Sequence, residues 1–194
     1  MNHLAHCLLS FNNESLLIGN FIGDFVKGNA WEKYSPSIQK GILLHREIDA
    51  FTDAHPVVKS CAAQLKPYAG RFAPPIVDIL FDHLLAISWT SYSHIPFQTF
   101  TQTTYQQLSH GATSMPPILQ ERLPRMIAGD FLSSYLTYNG LFFVFQQFSK
   151  RLPFPLDYPT MLEFFFSEKD VFLASFNAFF PELLEKAKIY SNFD

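Results

Sequence analysis

The sequence predicts an all-α fold, one bundle of roughly eight to ten helices filling residues 1–194 as a single domain. Three observations point there. Apolar residues recur three and four apart along most of the chain, and the Val/Ile/Thr alternation of strands is scarce. Asn, Ser, Pro and Gly fall where helices should start and stop. No repeat of fixed period, low-complexity run or long linker divides the chain. Apolar residues make up 48% and charged residues only 16%, which favours a filled core over disorder.

Taken in order, residues 2–9 form a short apolar segment with His3 and His6 three apart on one helical face. Asn12-Asn13-Glu14-Ser15 caps a second helix, whose apolar set is Leu16, Leu17, Ile18, Phe21, Ile22 and Phe25 and whose end is Gly28. Asp24 lies inside that face, either at its surface edge or as a buried ligand. Its neighbours Ile22, Phe25 and Val26 favour burial with a partner, because an unpaired buried charge is too costly. Gly19 and Gly23 leave a smooth strip where another backbone or a ligand can come close.

Ser35-Pro36-Ser37 opens the third helix, which carries G-I-L-L-H-R-E-I-D-A-F-T-D-A-H-P at 41–56 and ends at Pro56. A helix from about Val57 to Leu65 follows, then a loop through Pro67, Gly70 and Arg71. The next helix lies within the polar-on-apolar stretch P-I-V-D-I-L-F-D-H-L-L-A-I-S-W-T-S-Y at 75–92. Phe97–Leu108, Pro117–Ala128 and roughly Ser133–Lys150 also read as helical. Pro153, Pro155 and Pro159 mark a break. Met161–Tyr190 alternates phenylalanine-rich turns with Glu and Lys, the pattern of core-forming amphipathic helices.

The chemistry gathers on a few of these elements. His45 and Asp49 lie one helical turn apart and share a face, Asp53 continues the row, and Arg46 adjoins it. Such a face can be a solvated run of ion pairs or can supply nitrogen and oxygen to one divalent ion. Asp78 and Asp82 face one way on a strongly apolar helix, with His83 beside Asp82. Two such acids repel unless a cation or an arginine lies between them. Asp78 fits a structural role equally well. Together His6, Asp24, His45, Asp49, Asp82 and His83 are acids and imidazoles dispersed over several helices, as in a metal site inside a bundle. Mixed N/O donors suit Mn²⁺, Mg²⁺, Fe²⁺ or Zn²⁺, and hydrolysis is the natural chemistry. Arg46 is of the type that holds a phosphate. No nucleophile elbow, phosphate-binding glycine loop or dinucleotide fingerprint is present.

A net charge of −3 excludes a generally basic nucleic-acid binder. Residues 1–71 carry seven Lys/Arg against six Asp/Glu and residues 72–194 seven against eleven, so an acidic partner is better received by the amino-terminal part. Cys7 and Cys61 have no disulfide or zinc spacing. The first residues have no basic segment before their apolar ones, and no apolar run approaches the roughly 18–20 residues of a membrane span. A soluble, cytoplasmic protein is expected.

Several long motifs stand in register: M-N-H-L-A-H at 1–6, G-N-F-I-G-D-F-V-K-G at 19–28, the stretch 41–56, D-I-L-F-D-H-L-L-A-I-S-W at 78–89 and R-M-I-A-G-D-F-L-S-S-Y at 125–135. In these the chain resembles the acyl carrier protein phosphodiesterases, a divergent branch of the HD-type metal-dependent phosphohydrolases. The resemblance implies a helical HD-like fold and hydrolysis of the phosphodiester that joins 4′-phosphopantetheine to holo-acyl carrier protein. It implies Mn²⁺ as the usual ion, with Mg²⁺ or Fe²⁺ as alternatives. Carried over, Asp24, His45, Asp82 and His83 would bind or serve the metal, with His6 a further ligand. Arg46 and Asp49 would be the phosphate-holding and supporting groups. The chain departs from the ordinary HD pattern in having Arg46 after His45 and the reversed pair Asp82-His83. It also has Gly23 and Phe131 where the family favours Ala and Trp. Lys27, Lys33, Lys40 and Arg46 are the basic residues expected to meet the acidic carrier. Two rival readings are a phosphohydrolase of nucleotides or other small phosphodiesters and a non-enzymatic module that binds carrier proteins. Oligomeric state has no signature.

Overall fold

The computed structural model describes residues 1–192 and contains ten α-helices and no strand among them. The helices are α1 (His3–Leu8), α2 (Glu14–Ile22), α3 (Pro36–Ala54), α4 (Pro56–Ala69) and α5 (Ala73–Ile87). They continue with α6 (Phe97–His110), α7 (Pro117–Ala128), α8 (Tyr138–Ser149), α9 (Tyr158–Ser167) and α10 (Lys169–Asn192). The all-α expectation holds. No helix among the described residues is long and apolar enough to cross a membrane.

Local chemistry explains most boundaries. The Asn13 side chain accepts from Leu16 N–H and starts α2. Proline occupies the first turn of α3, α4, α5, α7 and α9, where its missing N–H breaks no helical bond. Gly70, at φ +54°, ends α4 in a backbone region that disfavours other residues.

Three expectations need correction. First, α2 stops at Ile22, and residues 23–25 form a tighter 3₁₀ turn, so the helix does not reach Gly28. That turn swings Asp24 off the apolar face, and its side chain is 69% exposed rather than buried. Second, α4 runs past Pro67 to Ala69. Third, residues 133–150 are not one helix: a 3₁₀ turn over Ser133–Leu136 precedes α8, which the Thr137 hydroxyl caps.

Helix α5 lies at the centre. Ile76, Val77, Leu80, Phe81, Leu84 and Leu85 are all fully buried, so its apolar surface runs all round, as in a helix enclosed by others. Helices α1, α4 and α10 pack against it. The closest crossing is α2 on α3. A Cβ at Gly19 would stand 2.2 Å from Ile38 O, and one at Gly41 would stand 2.5 Å from Leu16 O. Only glycine permits that approach, and it brings Asn20 and Gly23 against His45.

Candidate metal centre

Helix α1 presents His6, α2 presents Asn20, the turn after α2 presents Asp24, and α3 presents His45 and Asp49. His6 and His45 stack with ring centroids 4.2 Å apart. The His45 ring has room because residue 23 is glycine: a Cβ there would lie 2.2 Å from His45 Cγ.

Asn20, fully buried, orders both rings. Its Nδ2 donates to His6 O at 2.8 Å and Ser10 Oγ at 3.2 Å, so its Oδ1 is the atom facing His6 Nδ1 at 2.7 Å. His45 Nδ1 meets the Asn20 carbonyl at 2.8 Å. Both Nδ1 atoms therefore donate, and both Nε2 atoms turn to Asp49: His6 Nε2 to Oδ1 at 3.2 Å, His45 Nε2 to Oδ2 at 3.0 Å. Asp24 Oδ1 stands 3.5 Å from His45 Nε2.

Burial, with the charge of His45, holds His6 below its ordinary pKa and therefore neutral. A neutral His6 with its proton on Nδ1 points a lone pair at a carboxylate, and its buried Nε2 has no hydrogen-bond partner. Lone pair faces lone pair there. A cation between them resolves the conflict, and the donor set suits one. Orienting Nδ1 hydrogen bonds are the usual support of metal-ligating histidine. Donors about 3.0 Å apart are also spaced like adjacent ligands of an octahedral ion bound at about 2.1 Å. His6, His45 and Asp49 thus form a triad able to hold a metal ion, their ligand atoms all within 4.8 Å of one another. A cavity of ≈ 10 Å³, lined by Met1, Asn2, His3, His6, Asn20, Phe21, Asp24 and His45, adjoins it.

Without an ion, burial depresses His45, but hydrogen bonds and charge from Asp24 and Asp49 outweigh it and raise its pKa to about 9. Burial opposes ionisation of Asp49, yet the hydrogen bond from the charged His45 holds it below the usual carboxylate range. Asp24 is lowered by its hydrogen bond to His45.

The other expected residues stand elsewhere. Asp82 contributes no atom to the triad, because its carboxylate accepts N–H groups of Leu4 at 2.7 Å and of Asn2 and Ala5 at 3.3 Å. It ties down the start of α1, and burial pushes its pKa up to about 7. Asp78 holds the Met1 amino group at 2.9 Å. His83 is buried, donates Nδ1–H to Tyr135 O at 2.7 Å, and lies edge-on to Phe165 and Phe166. The rotation between adjacent helical residues that separates it from Asp82 also takes it away from the triad. Arg46 Nη2 donates to Val26 O at 3.0 Å and Gly28 O at 2.8 Å, clasping the loop after Asp24. Asn20 is the residue that sequence reasoning missed. Its signal is a lone amide in the apolar run L-L-I-G-N-F-I.

Fold and centre together define a helical protein built round two buried imidazoles and a partly exposed carboxylate that could hold a cation. The sequence pattern of the family described as acyl carrier protein phosphodiesterase matches residues 1–183, and the chain belongs to that family. A protein of Serratia proteamaculans named acyl carrier protein phosphodiesterase is 37% identical over 121 residues, 62% of this chain and 63% of that one. Proteins of the same name from Enterobacter sp. and Salmonella dublin are 36% identical over 118 residues, 60% of this chain and 61% of theirs. The chain thus aligns with less than two thirds of the length of these relatives. No solved structure matches it.

Proposed function

We propose that this chain is a metal-dependent phosphodiesterase that releases 4′-phosphopantetheine from holo-acyl carrier protein, leaving the apo protein. The names of its relatives support the substrate. The observation that carries the chemistry is the buried His6 Nε2, without a hydrogen-bond partner, 3.2 Å from Asp49 Oδ1.

His6, His45 and Asp49 would hold the ion, with Asp24 at its open, solvent-facing side. Mn²⁺ is the ion that the family resemblance implies, with Mg²⁺ or Fe²⁺ as alternatives, and a set that mixes imidazole with carboxylate and has no thiolate is compatible with it. When bound, such an ion lowers the pKa of a water and offsets charge on a phosphoryl oxygen. Asn20 holds both imidazoles in the ligating tautomer. His45 has to give up a proton to ligate, which makes metal affinity rise with pH. Asp82 serves the centre by anchoring α1, which carries His6. Both described bonds of Arg46 use Nη2, and its Nε and Nη1 hydrogens are the groups we assign to the phosphate. The loop it clasps carries exposed Lys27, and exposed Lys33 follows, a basic landing for an acidic carrier.

Mass spectrometry of holo-acyl carrier protein incubated with the protein tests this. Loss of the phosphopantetheine mass with Mn²⁺, but not with EDTA or with Asp49→Ala, is the expected result. An unchanged carrier mass with a metal-loaded preparation would refute it, and turnover of nucleotide phosphodiesters in its place would favour the small-substrate reading.

A further inference from the structure

One wall of the cavity differs from the rest. His3 and Phe21 line it together with His6, Asp24 and His45, and their rings are 5.5 Å apart. Phe131, half-buried, closes the group at 5.7 Å from His3 and 6.0 Å from Phe21. Phe131 is itself held in place. Tyr105 packs on it at 5.3 Å, donates its hydroxyl hydrogen to Asp130 Oδ1 at 2.7 Å, and accepts Leu132 N–H at 2.9 Å. Asp130 sits at φ +47°, a left-handed conformation unusual for a non-glycine residue, so the bends on either side of Phe131 are fixed by these bonds.

The wall is apolar with one exception. The His3 imidazole makes no hydrogen bond to any described side chain or backbone group; only its main-chain N–H is engaged, by Asn2 Oδ1. Burial holds its pKa at about 4, so the ring is neutral and offers one donor and one acceptor. Beside the ion-sized cavity the protein therefore presents a rigid aromatic surface carrying a single free polar group.

That pattern matches the chemistry next to the phosphate of the proposed substrate. In 4′-phosphopantetheine the phosphoryl oxygen is followed by a methylene, then a carbon bearing two methyl groups, then a carbon bearing a hydroxyl. We propose that His3, Phe21 and Phe131 select this pantoyl end, with the gem-dimethyl carbon against Phe131 and the hydroxyl on the His3 imidazole. The inference rests on the phosphopantetheine reading of the site and names the part of the arm it recognises.

The test compares carrier protein loaded with the natural arm, with an arm lacking the two methyl groups, and with one lacking the hydroxyl. Wild-type protein with Mn²⁺ should favour the natural arm in kcat/KM by about tenfold or more over the desmethyl arm, the usual range for small apolar groups in a fitted pocket. Phe131→Ala should abolish that preference, and Phe131→Trp should keep it. His3→Phe should abolish the preference for the hydroxyl while keeping that for the methyls. Mn²⁺ affinity, measured by competition, should stay unchanged in all three variants, which separates recognition from damage to the metal centre. Equal turnover of the natural and desmethyl arms by the wild type, or the same ratio in Phe131→Ala, would overturn the inference and leave the function standing. No release of any arm would remove both.

Discussion

The amino-terminal helices and the carboxy-terminal pair are both buried, but they use burial for opposite ends. In α1–α3 the buried groups include His6, Ser10, Asn20 and His45, each engaged by another polar atom and arranged around Asp49. In α9 and α10 they are rings: Phe165, Phe172, Phe176, Phe179 and Phe180 are fully buried and touch one another, Phe81 of α5 or Tyr92. A site needs fixed polar atoms with unused bonding capacity, and those lower stability unless satisfied. The aromatic helices supply apolar burial that offsets this cost and add no chemistry of their own.

Substitutions in the two regions should therefore separate activity from stability. Asp49→Ala removes the carboxylate shared by both imidazoles, so measurable hydrolysis and tight Mn²⁺ binding should both vanish while circular dichroism still reports a folded helical protein. Activity retained at wild-type level would break the contrast. Phe176→Ala or Phe179→Ala should do the reverse. Either should lower stability by about 3–5 kcal/mol in urea melts, with kcat of the folded fraction unchanged.

Asn20→Ala sharpens the comparison, because it removes the amide that orients His6 and leaves every ligand and the main-chain carbonyl that holds His45. Isothermal titration should show a loss of about 10–100-fold in metal affinity, the usual effect of deleting such a support. A smaller effect comes from His3, whose pKa lies near 6.5 unfolded and about 4 folded. The folded state holds fewer protons, so the contribution of His3 is fully present above pH 6.5 and is lost as pH falls from 6.5 through 4. Urea midpoints between pH 7 and 4 should fall less steeply for His3→Phe than for wild type.

How much of the centre was legible follows from range. The i, i+4 pairing of His45 with Asp49 is local, and the sequence alone placed both on one face. His6 and Asp24 were visible as polar residues in apolar company. The roles of Asp82 and Asn20 were not legible, because each is set by a partner on another helix: Asp82 bonds the backbone of residues 2, 4 and 5 across some 80 positions, and the Asn20 side chain bonds His6 across 14. Side-chain type does not say whether a buried carboxylate meets a cation or a row of N–H groups. The exposure of Asp24 also escaped, since a turn from α-helix to 3₁₀ at Gly23 changes the face of every residue after it.

By itself, then, the sequence determined helix content, most helix starts and the set of residues able to do chemistry, because spacing and capping act within a few residues. Tertiary structure alone decided which of those residues converge. The glycine-lined crossing of α2 on α3 and the docking of α1 against α5 bring two imidazoles and a carboxylate to one point and direct Asp82, His83 and Arg46 to other partners. Convergence depends on packing between helices distant in sequence, where no local periodicity reports.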